Sequence, residues 1–210
     1  MRLVLVRHGE SVGNAQRLLQ GRTDFPLSER GREQSRRLAH RLRDAPLVAI
    51  YSSPLARARQ TADALSEETG LPVVELPDLQ EYDFGELTGI ALDELRLRIN
   101  PAQRYLQGDF PSIPGEEGRE AFRQRVCGAL WGLAEHHKGD TVAVVCHGGP
   151  IVVFVLEVLG LAFRRPIPLT LHNASLTVID ARDDEPGPLD PRPRAVLAAF
   201  NDTCHLGGMG

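Results

Sequence analysis

The amino-acid sequence predicts an α/β protein, a three-layer α/β/α sandwich with a mostly parallel central sheet. Its apolar runs are short and unbroken, as at residues 3–6, 47–51 and 141–146. Runs of this kind are typical of strands that are covered on both faces. Between them lie segments whose apolar residues recur at helical spacing. Such an alternation of strands and helices indicates a parallel sheet with helices on both sides.

The first part of the chain contains three strands and two helices. We expect the strands at 3–6, 47–51 and 72–74, and the helices at 29–44 and from Pro54 to Gly70. Ser28 is a suitable N-cap for the first helix, and Pro46 ends it. Ser52-Ser53-Pro54 predicts the start of the second helix, with serine as N-cap and proline in the first turn.

Residues 77–118 are less regular and form a cap-like insertion over the sheet. Two short helices are expected in it, separated by Pro101. The remaining elements are a helix at 117–137, a strand at 141–146, a helix at 151–160, and two terminal strands at 175–181 and 194–200 that pair as a hairpin. We expect residues 1–210 to form one domain.

The composition excludes several function classes. Hydrophobic residues make up 42% of the chain and charged residues 25%, as in ordinary globular proteins. The net charge of -4 does not suit a nucleic-acid partner, and no apolar run approaches the roughly 18 residues that cross a membrane. Cys127, Cys146 and Cys204 show no paired spacing, which indicates free thiols in the cytoplasm. We expect a cytoplasmic monomer or homodimer with a small-molecule partner.

The residues that can carry chemistry gather at one edge of the predicted sheet. In open α/β sheets, ligands bind beyond the carboxyl ends of the strands. His8, Ser52-Ser53 and His147 each follow or end a strand at this edge. Two histidines, two arginines and one amide come together there: His8, His147, Arg7, Arg57 and Asn14. Guanidinium groups match phosphoryl oxygens, and imidazole and amide groups supply further donors, so the sequence predicts a phosphate site.

The patterns of other phosphatase chemistries are missing from the sequence. No acidic cluster with metal-ligand spacing lies near these strand ends, so neither a metal nor another cofactor is expected. A cysteine nucleophile in a phosphate loop needs an arginine six residues on, but Val152 stands six residues after Cys146. The Gly-x-Ser-x-Gly elbow of serine hydrolases is also absent. By elimination, His8 is the best-placed nucleophile.

Several motifs follow one another in order over about residues 1–180. They are Arg7-His8-Gly9-Glu10-Ser11 with Asn14, Gln20-Gly21, Asp24-x-Pro26-Leu27-Ser28-x-x-Gly31, Ser52-Ser53-Pro54-Leu55-x-Arg57-Ala58-x-Gln60-Thr61, Glu81 before Phe84-Gly85, and His147-Gly148-Gly149. Each motif is weak alone. The ordered set resembles the histidine phosphatase superfamily, also called the phosphoglycerate mutase-like family.

The resemblance implies a reaction through a phosphohistidine intermediate. His8 attacks the phosphoryl group and carries it. The phosphoryl oxygens are held by Arg7, Arg57, Asn14 and His147, with the backbone N–H of Gly148 nearby. Glu81 protonates the leaving group and then deprotonates the attacking water. Its pKa must be raised for the first step, which burial under the insertion can provide.

The resemblance also bears on the substrate. The loop Gln20-Gly21-Arg22 is similar to that of the phosphatase branches, and Arg22 is expected to contact a substrate carboxylate or second phosphate. Cofactor-dependent mutases carry a lysine and an Arg-Arg pair in a longer insertion. Residues 83–118 contain neither, only isolated Arg96, Arg98 and Arg104. We therefore expect a metal-independent phosphomonoester hydrolase for a small phosphorylated metabolite. A phosphoglycerate mutase is the alternative, and a non-catalytic phospho-ligand binding module is a more distant one.

Overall fold

The computed structural model describes residues 1–98, 113–163, 169–182 and 195–208. Within these ranges the strands form one six-stranded sheet in the order β3-β2-β4-β1-β5-β6. Its strands are β1 (Arg2–Arg7), β2 (Leu47–Ser52), β3 (Val73–Glu75), β4 (Thr141–Cys146), β5 (Leu176–Ala181) and β6 (Ala195–Asp202). Strands β1 to β4 are mutually parallel, while β5 runs antiparallel to β1 and β6 antiparallel to β5. The predicted mostly parallel sheet is confirmed.

The helices cover both faces of this sheet. They are α1 (Val12–Ala15), α2 (Glu29–Leu42), α3 (Ala56–Thr69), α4 (Leu92–Arg98), α5 (Arg119–His136) and α6 (Gly148–Val158). Side chains alternate between faces along a strand, so Val4 and Val6 pack with α2 and α3 while Leu3 and Leu5 pack with α5 and α6. Both sides of β1 are therefore buried, which explains its unbroken apolar run. The three layers agree with the prediction.

The register of the three central strands brings their carboxyl ends to one level. Arg7 on β1 pairs with Cys146 on β4, and Ser52 on β2 pairs with Val145 on β4. The residues that follow these strands are His8, His147 and Ser53, which therefore emerge side by side. This arrangement confirms the predicted gathering of polar residues at this edge.

The predicted start of α3 is wrong. This helix begins at Ala56, with Leu55 at the N-cap position and no side-chain cap of its own. Its first N–H donates instead to Asp24 Oδ1 at 2.6 Å, from a loop far away in the sequence. Ser52 still belongs to β2, and the Ser53 hydroxyl bonds to His147 at 2.8 Å. The serines are thus engaged by the sheet edge instead of the helix.

Other boundaries differ by a few residues. Ser28 caps α2 as predicted, by accepting from the Gly31 N–H at 3.0 Å, but the helix ends at Leu42, ahead of Pro46. Helix α6 begins at Gly148, three residues before the predicted start at 151, because His147 already has the extended backbone of an N-cap. Helix α5 begins at Arg119 and not at 117. These shifts leave the order of elements unchanged.

The described part of the predicted insertion packs against the segment that follows α1. It contains single helical turns at Pro77–Leu79 and Gly85–Leu87 and the short helix α4. The backbone N–H of Leu19 donates to Ile90 O at 2.8 Å, and that of Gly89 donates to Leu19 O at 2.7 Å. The second short helix, expected near Tyr105, lies outside the described residues.

The predicted terminal hairpin is confirmed, since β5 and β6 pair antiparallel. Strand β6 forms one edge of the sheet and exposes Val196 to 44%. The choice between monomer and homodimer stays a prediction, as does the single domain over 1–210. In the part of the chain that the structure describes, no helix combines the length and apolar character needed to cross a membrane.

Candidate functional site

His8 lies at the centre of the candidate site with a defined tautomer. The residue continues from β1, and its backbone N–H donates to Cys146 O at 3.0 Å. Its ring Nδ1 lies 2.7 Å from Gly9 O. Because a carbonyl can only accept, Nδ1 carries the proton and Nε2 holds the lone pair. The side chain is buried, and burial together with Arg57 and Arg7 holds its pKa well below the usual value. His8 is therefore a neutral imidazole with a nucleophilic nitrogen.

Two guanidinium groups lie near this ring, that of the buried Arg57 and that of the half-buried Arg7. Arg57 is only 1% exposed and donates to Thr23 O and Gly21 O, each at 2.8 Å. Arg7 donates to the carbonyl of Leu171. Burial lowers the pKa of Arg7, and it lowers that of Arg57 to about 10.

Neither arginine forms an ion pair with a carboxylate among the described residues. The Nε atoms of Arg7 and Arg57 are buried and have no hydrogen-bond partner there. A buried charge is costly unless it is paired. The two side chains therefore form a site for an anion.

His147 adds a third buried nitrogen to the anion site. Its ring centroid lies 5.1 Å from that of His8, and the two rings meet edge to face. Ring Nε2 lies 2.8 Å from Ser53 Oγ, while Nδ1 is buried without a partner among the described residues. Burial, followed by the charge of Arg57, holds the pKa of His147 well below its usual value. In the tautomer in which the serine hydroxyl donates to Nε2, Nδ1 carries the proton and can donate to an anion.

Glu81 is held against the start of α6. Its Oε2 accepts from the backbone N–H of Gly149 at 3.1 Å, and its Oε1 from that of Tyr82 at 2.8 Å. A Cβ at position 149 would lie 2.0 Å from Glu81 Oε1, so only glycine allows this approach. The neighbouring N–H of Gly148 belongs to the first residue of α6, where helices attract anions. Glu81 thus lies at the rim of the anion site.

Asn14 is oriented by a residue near the other end of the chain. Asn14 Oδ1 accepts from the backbone N–H of Ser11 at 3.2 Å and from Asn173 Nδ2 at 3.1 Å. Asn173 Nδ2 also lies 3.2 Å from the backbone oxygen of His8. Because these contacts engage the amide oxygen, the amide nitrogen of Asn14 is the end left to donate to a ligand.

The loop residues predicted to bind substrate have protein partners in the structure. Gln20 is buried, and its Oε1 accepts from Ser11 Oγ at 2.6 Å. Gly21 adopts a left-handed backbone (φ 49°) and offers its carbonyl to Arg57. Arg22 donates to Glu117 Oε2 at 2.8 Å and lies 3.9 Å from Asp83 Oδ2. Substrate binding by these three residues stays a prediction.

Sequence reasoning missed the part that three residues play in the site. Ser53 was expected at the correct edge of the sheet, but as a helix cap, and no role was expected for Gly149 or Asn173. Gly149 and Asn173 also lie within a few residues of a strand end at this edge. Position at this edge is therefore the signal that could have identified these two.

A cavity of about 290 Å³ opens beside Arg7, Glu81 and Gly148. It adjoins the anion site, so the remainder of a molecule whose anionic group is bound there can extend into the cavity. Within the described ranges, no three His, Cys, Asp or Glu side chains lie together as a metal site would require.

Comparison with known proteins shows that this chain is similar to phosphatases and to phosphoglycerate mutases. Residues 3–189 match the family model described as "Histidine phosphatase superfamily (branch 1)". A metal-independent phosphoserine phosphatase from Arabidopsis thaliana is 32% identical over 213 residues, which cover 99% of this chain and 84% of the relative. A probable phosphoglycerate mutase from Cronobacter sakazakii is 32% identical over 182 residues, covering 86% and 85%.

The fold is also similar to that of a protein of solved structure, the mycobacterial glucosyl-3-phosphoglycerate phosphatase. The two structures have a TM-score of 0.82, and the two sequences are 28% identical. The match covers 96% of this chain and 99% of that protein.

The buried histidines predict a loss of stability in mild acid. The pKa values of His8 and His147 lie below the ordinary value, so the unfolded chain takes up protons under about pH 6.5 that the folded chain does not. The free energy of unfolding should therefore fall as the pH falls below that value, by up to about 1.4 kcal/mol per pH unit for each histidine. Urea unfolding at a series of pH values measures this slope.

Two variants test whether the pH dependence of the free energy of unfolding comes from the site. His8→Gln should remove the contribution of one histidine to this dependence. His40→Gln, at an exposed position on α2, is the matched control and should leave the dependence unchanged. An unchanged slope in His8→Gln would contradict the prediction.

Proposed function

The chain belongs to the histidine phosphatase superfamily (branch 1), and on that basis we propose that it hydrolyses small phosphomonoesters with His8 as the nucleophile. One observation carries the proposal. Two guanidinium groups, of the half-buried Arg7 and the buried Arg57, have no ion pair among the described residues and lie near a neutral histidine whose Nε2 is unprotonated. A phosphoryl group supplies both the missing negative charge and an electrophile.

In the first step, His8 Nε2 attacks the phosphorus atom and the bond to the leaving oxygen breaks. The product is a phosphohistidine. Arg7 and Arg57 neutralise the phosphoryl oxygens, because their guanidinium groups are already in place and need no reorganisation. His147 Nδ1–H and the Gly148 N–H supply further donors. Ser53 supports this role by donating to His147 Nε2.

Glu81 handles the protons of both steps. It lies beside the cavity next to the anion site, so it can protonate the leaving oxygen as the first bond breaks. In the second step it removes a proton from the water that attacks the phosphohistidine. Inorganic phosphate leaves, and His8 and Glu81 return to their starting states.

Asn14 is proposed to hold one phosphoryl oxygen through its amide nitrogen. Asn173 is a positioning residue for it, since its own amide bridges Asn14 Oδ1 and the backbone of His8. A cytoplasmic location is proposed as well, and the three free cysteines support it.

The first test concerns the nucleophile. His8→Ala should lower kcat/KM for p-nitrophenyl phosphate by at least about 1,000-fold, because the group that forms the covalent intermediate is removed. EDTA should leave the native activity unchanged, since arginines neutralise the phosphoryl group. The exposed substitution His40→Ala is the matched control and should keep full activity. Full activity in His8→Ala, or its loss with EDTA, would contradict the proposal.

A second test concerns the acid. Glu81→Gln should lower kcat/KM for benzyl phosphate by about 100-fold or more, because an alkoxide leaving group must be protonated. For p-nitrophenyl phosphate, whose leaving group departs as an anion, the loss should stay below about tenfold. The ratio kcat/KM reports the first step alone. Glu86→Gln, an exposed carboxylate in the same segment, is the control. Equal losses on both substrates would show that Glu81 is not the acid.

Phosphoglycerate mutase is the second candidate function, favoured by the similar protein from Cronobacter sakazakii that is described as a probable mutase. The two functions differ in what is released from 3-phosphoglycerate in the presence of 2,3-bisphosphoglycerate. We expect phosphorus NMR to show inorganic phosphate first. The appearance of 2-phosphoglycerate well ahead of phosphate would favour the mutase.

A further inference from the structure

We propose that the phosphomonoesters accepted by this site have a small, uncharged and apolar leaving group. The proposal rests on the proposed function, because it concerns what is attached to the phosphoryl group that His8 attacks. It follows from the walls of the cavity beside the anion site.

The cavity shares residues with the proposed phosphoryl site. Arg7 and Gly148, which are proposed to hold the phosphoryl oxygens, line it, and Glu81, the proposed acid, lines it as well. A leaving oxygen within reach of Glu81 therefore directs its substituent into this space. The volume of about 290 Å³ is near the lower end of the range for ligand pockets, which suits a single ring or a short chain.

One wall of the cavity is aromatic. Tyr82 packs against Phe84 and Phe122, with ring centroids 5.0 and 5.2 Å apart. The Tyr82 hydroxyl donates to Glu116 Oε2 at 2.6 Å, so it is already engaged by a protein carboxylate. Tyr82 therefore contributes its ring to the cavity.

The other described apolar residues that line the cavity are Val152, Phe163, Leu169 and Leu171. The ring of Phe163 lies beside that of Phe122, with centroids 6.2 Å apart. The carbonyl of Leu171 already accepts from Arg7. These four side chains offer a leaving group apolar contacts.

The described lining of the cavity disfavours a charged leaving group, because most of its side chains are apolar. Among its described lining residues, the acidic and basic side chains are those of Arg7, which faces the phosphoryl group, and Glu81, the proposed acid. Arg22, the residue expected to contact a substrate carboxylate, is bound by Glu117 at 2.8 Å and does not line the described cavity. Among the described side chains that line the cavity, a carboxylate of the leaving group would find no basic partner besides Arg7 to replace the water that it loses.

The test compares three esters of primary alcohols, so that the chemistry of the leaving oxygen is similar. They are benzyl phosphate, O-phospho-L-serine and 3-phosphoglycerate. We expect kcat/KM for benzyl phosphate to exceed the other two by about 100-fold, as for an apolar pocket that must desolvate a charged group. A value for either charged ester equal to or above that for benzyl phosphate would overturn the inference and leave the proposed function intact.

A substitution at Leu169, which lines the cavity, tests the same inference independently. Leu169 is half-buried, so Leu169→Arg can place a cation at the cavity without breaking the core. It should lower kcat/KM for benzyl phosphate by about tenfold and raise that for 3-phosphoglycerate. Leu169→Met, which keeps volume and polarity, is the matched control and should retain the native preference.

The outcomes separate the two proposals. If the native protein hydrolyses none of the three esters or p-nitrophenyl phosphate, the proposed function fails. If Leu169→Arg has a native circular dichroism spectrum and an unchanged ratio between the esters, the cavity does not hold the leaving group and the inference fails. Should that variant not fold, the native ratios alone decide.

Discussion

The site depends on two positive charges, those of Arg7 and Arg57, which form no ion pair among the described residues and which Glu81 attracts without contact. Arg7 donates to the carbonyl of Leu171, and Arg57 donates to those of Gly21 and Thr23. These carbonyls orient the guanidinium groups but do not neutralise their charge. The same charges help to lower the pKa of His8 and of His147. One electrostatic arrangement therefore both attracts an anion and keeps His8, the proposed nucleophile, unprotonated.

Around these charges, the orientation of each side chain is set by a second group. The carbonyl of Gly9 selects the tautomer of His8, and the Ser53 hydroxyl binds the ring of His147. The absence of a side chain at Gly149 lets Glu81 reach the start of α6. Such preorganisation means that little must move when charge develops during the reaction. Its basis is the strand register, which brings three strand ends to one level.

Much of the site could be predicted because its main residues follow buried strands. Runs such as residues 3–6 are covered on both faces, so their direction and the position of the next residue follow from local pattern alone. This placed His8 and His147 correctly. The start of α3 was wrong because its N–H partner, Asp24, comes from a distant loop, and a local cap rule does not contain such a contact. Asn173 was passed over for the same reason, since its partners Asn14 and His8 lie near the opposite end of the chain.

The sequence by itself determined the succession of strands and helices along the chain, and it gathered at one edge of the sheet the residues that we propose act on a phosphoryl group. These depend on periodicity and on residue types next to strand ends, which are local properties. Only the tertiary structure decided that Glu117 engages Arg22 and that apolar side chains from four separate segments enclose the space beside Glu81. The physical reason is that the charge and shape of a cavity belong to the groups that face each other across it. Those groups meet only after the chain has folded.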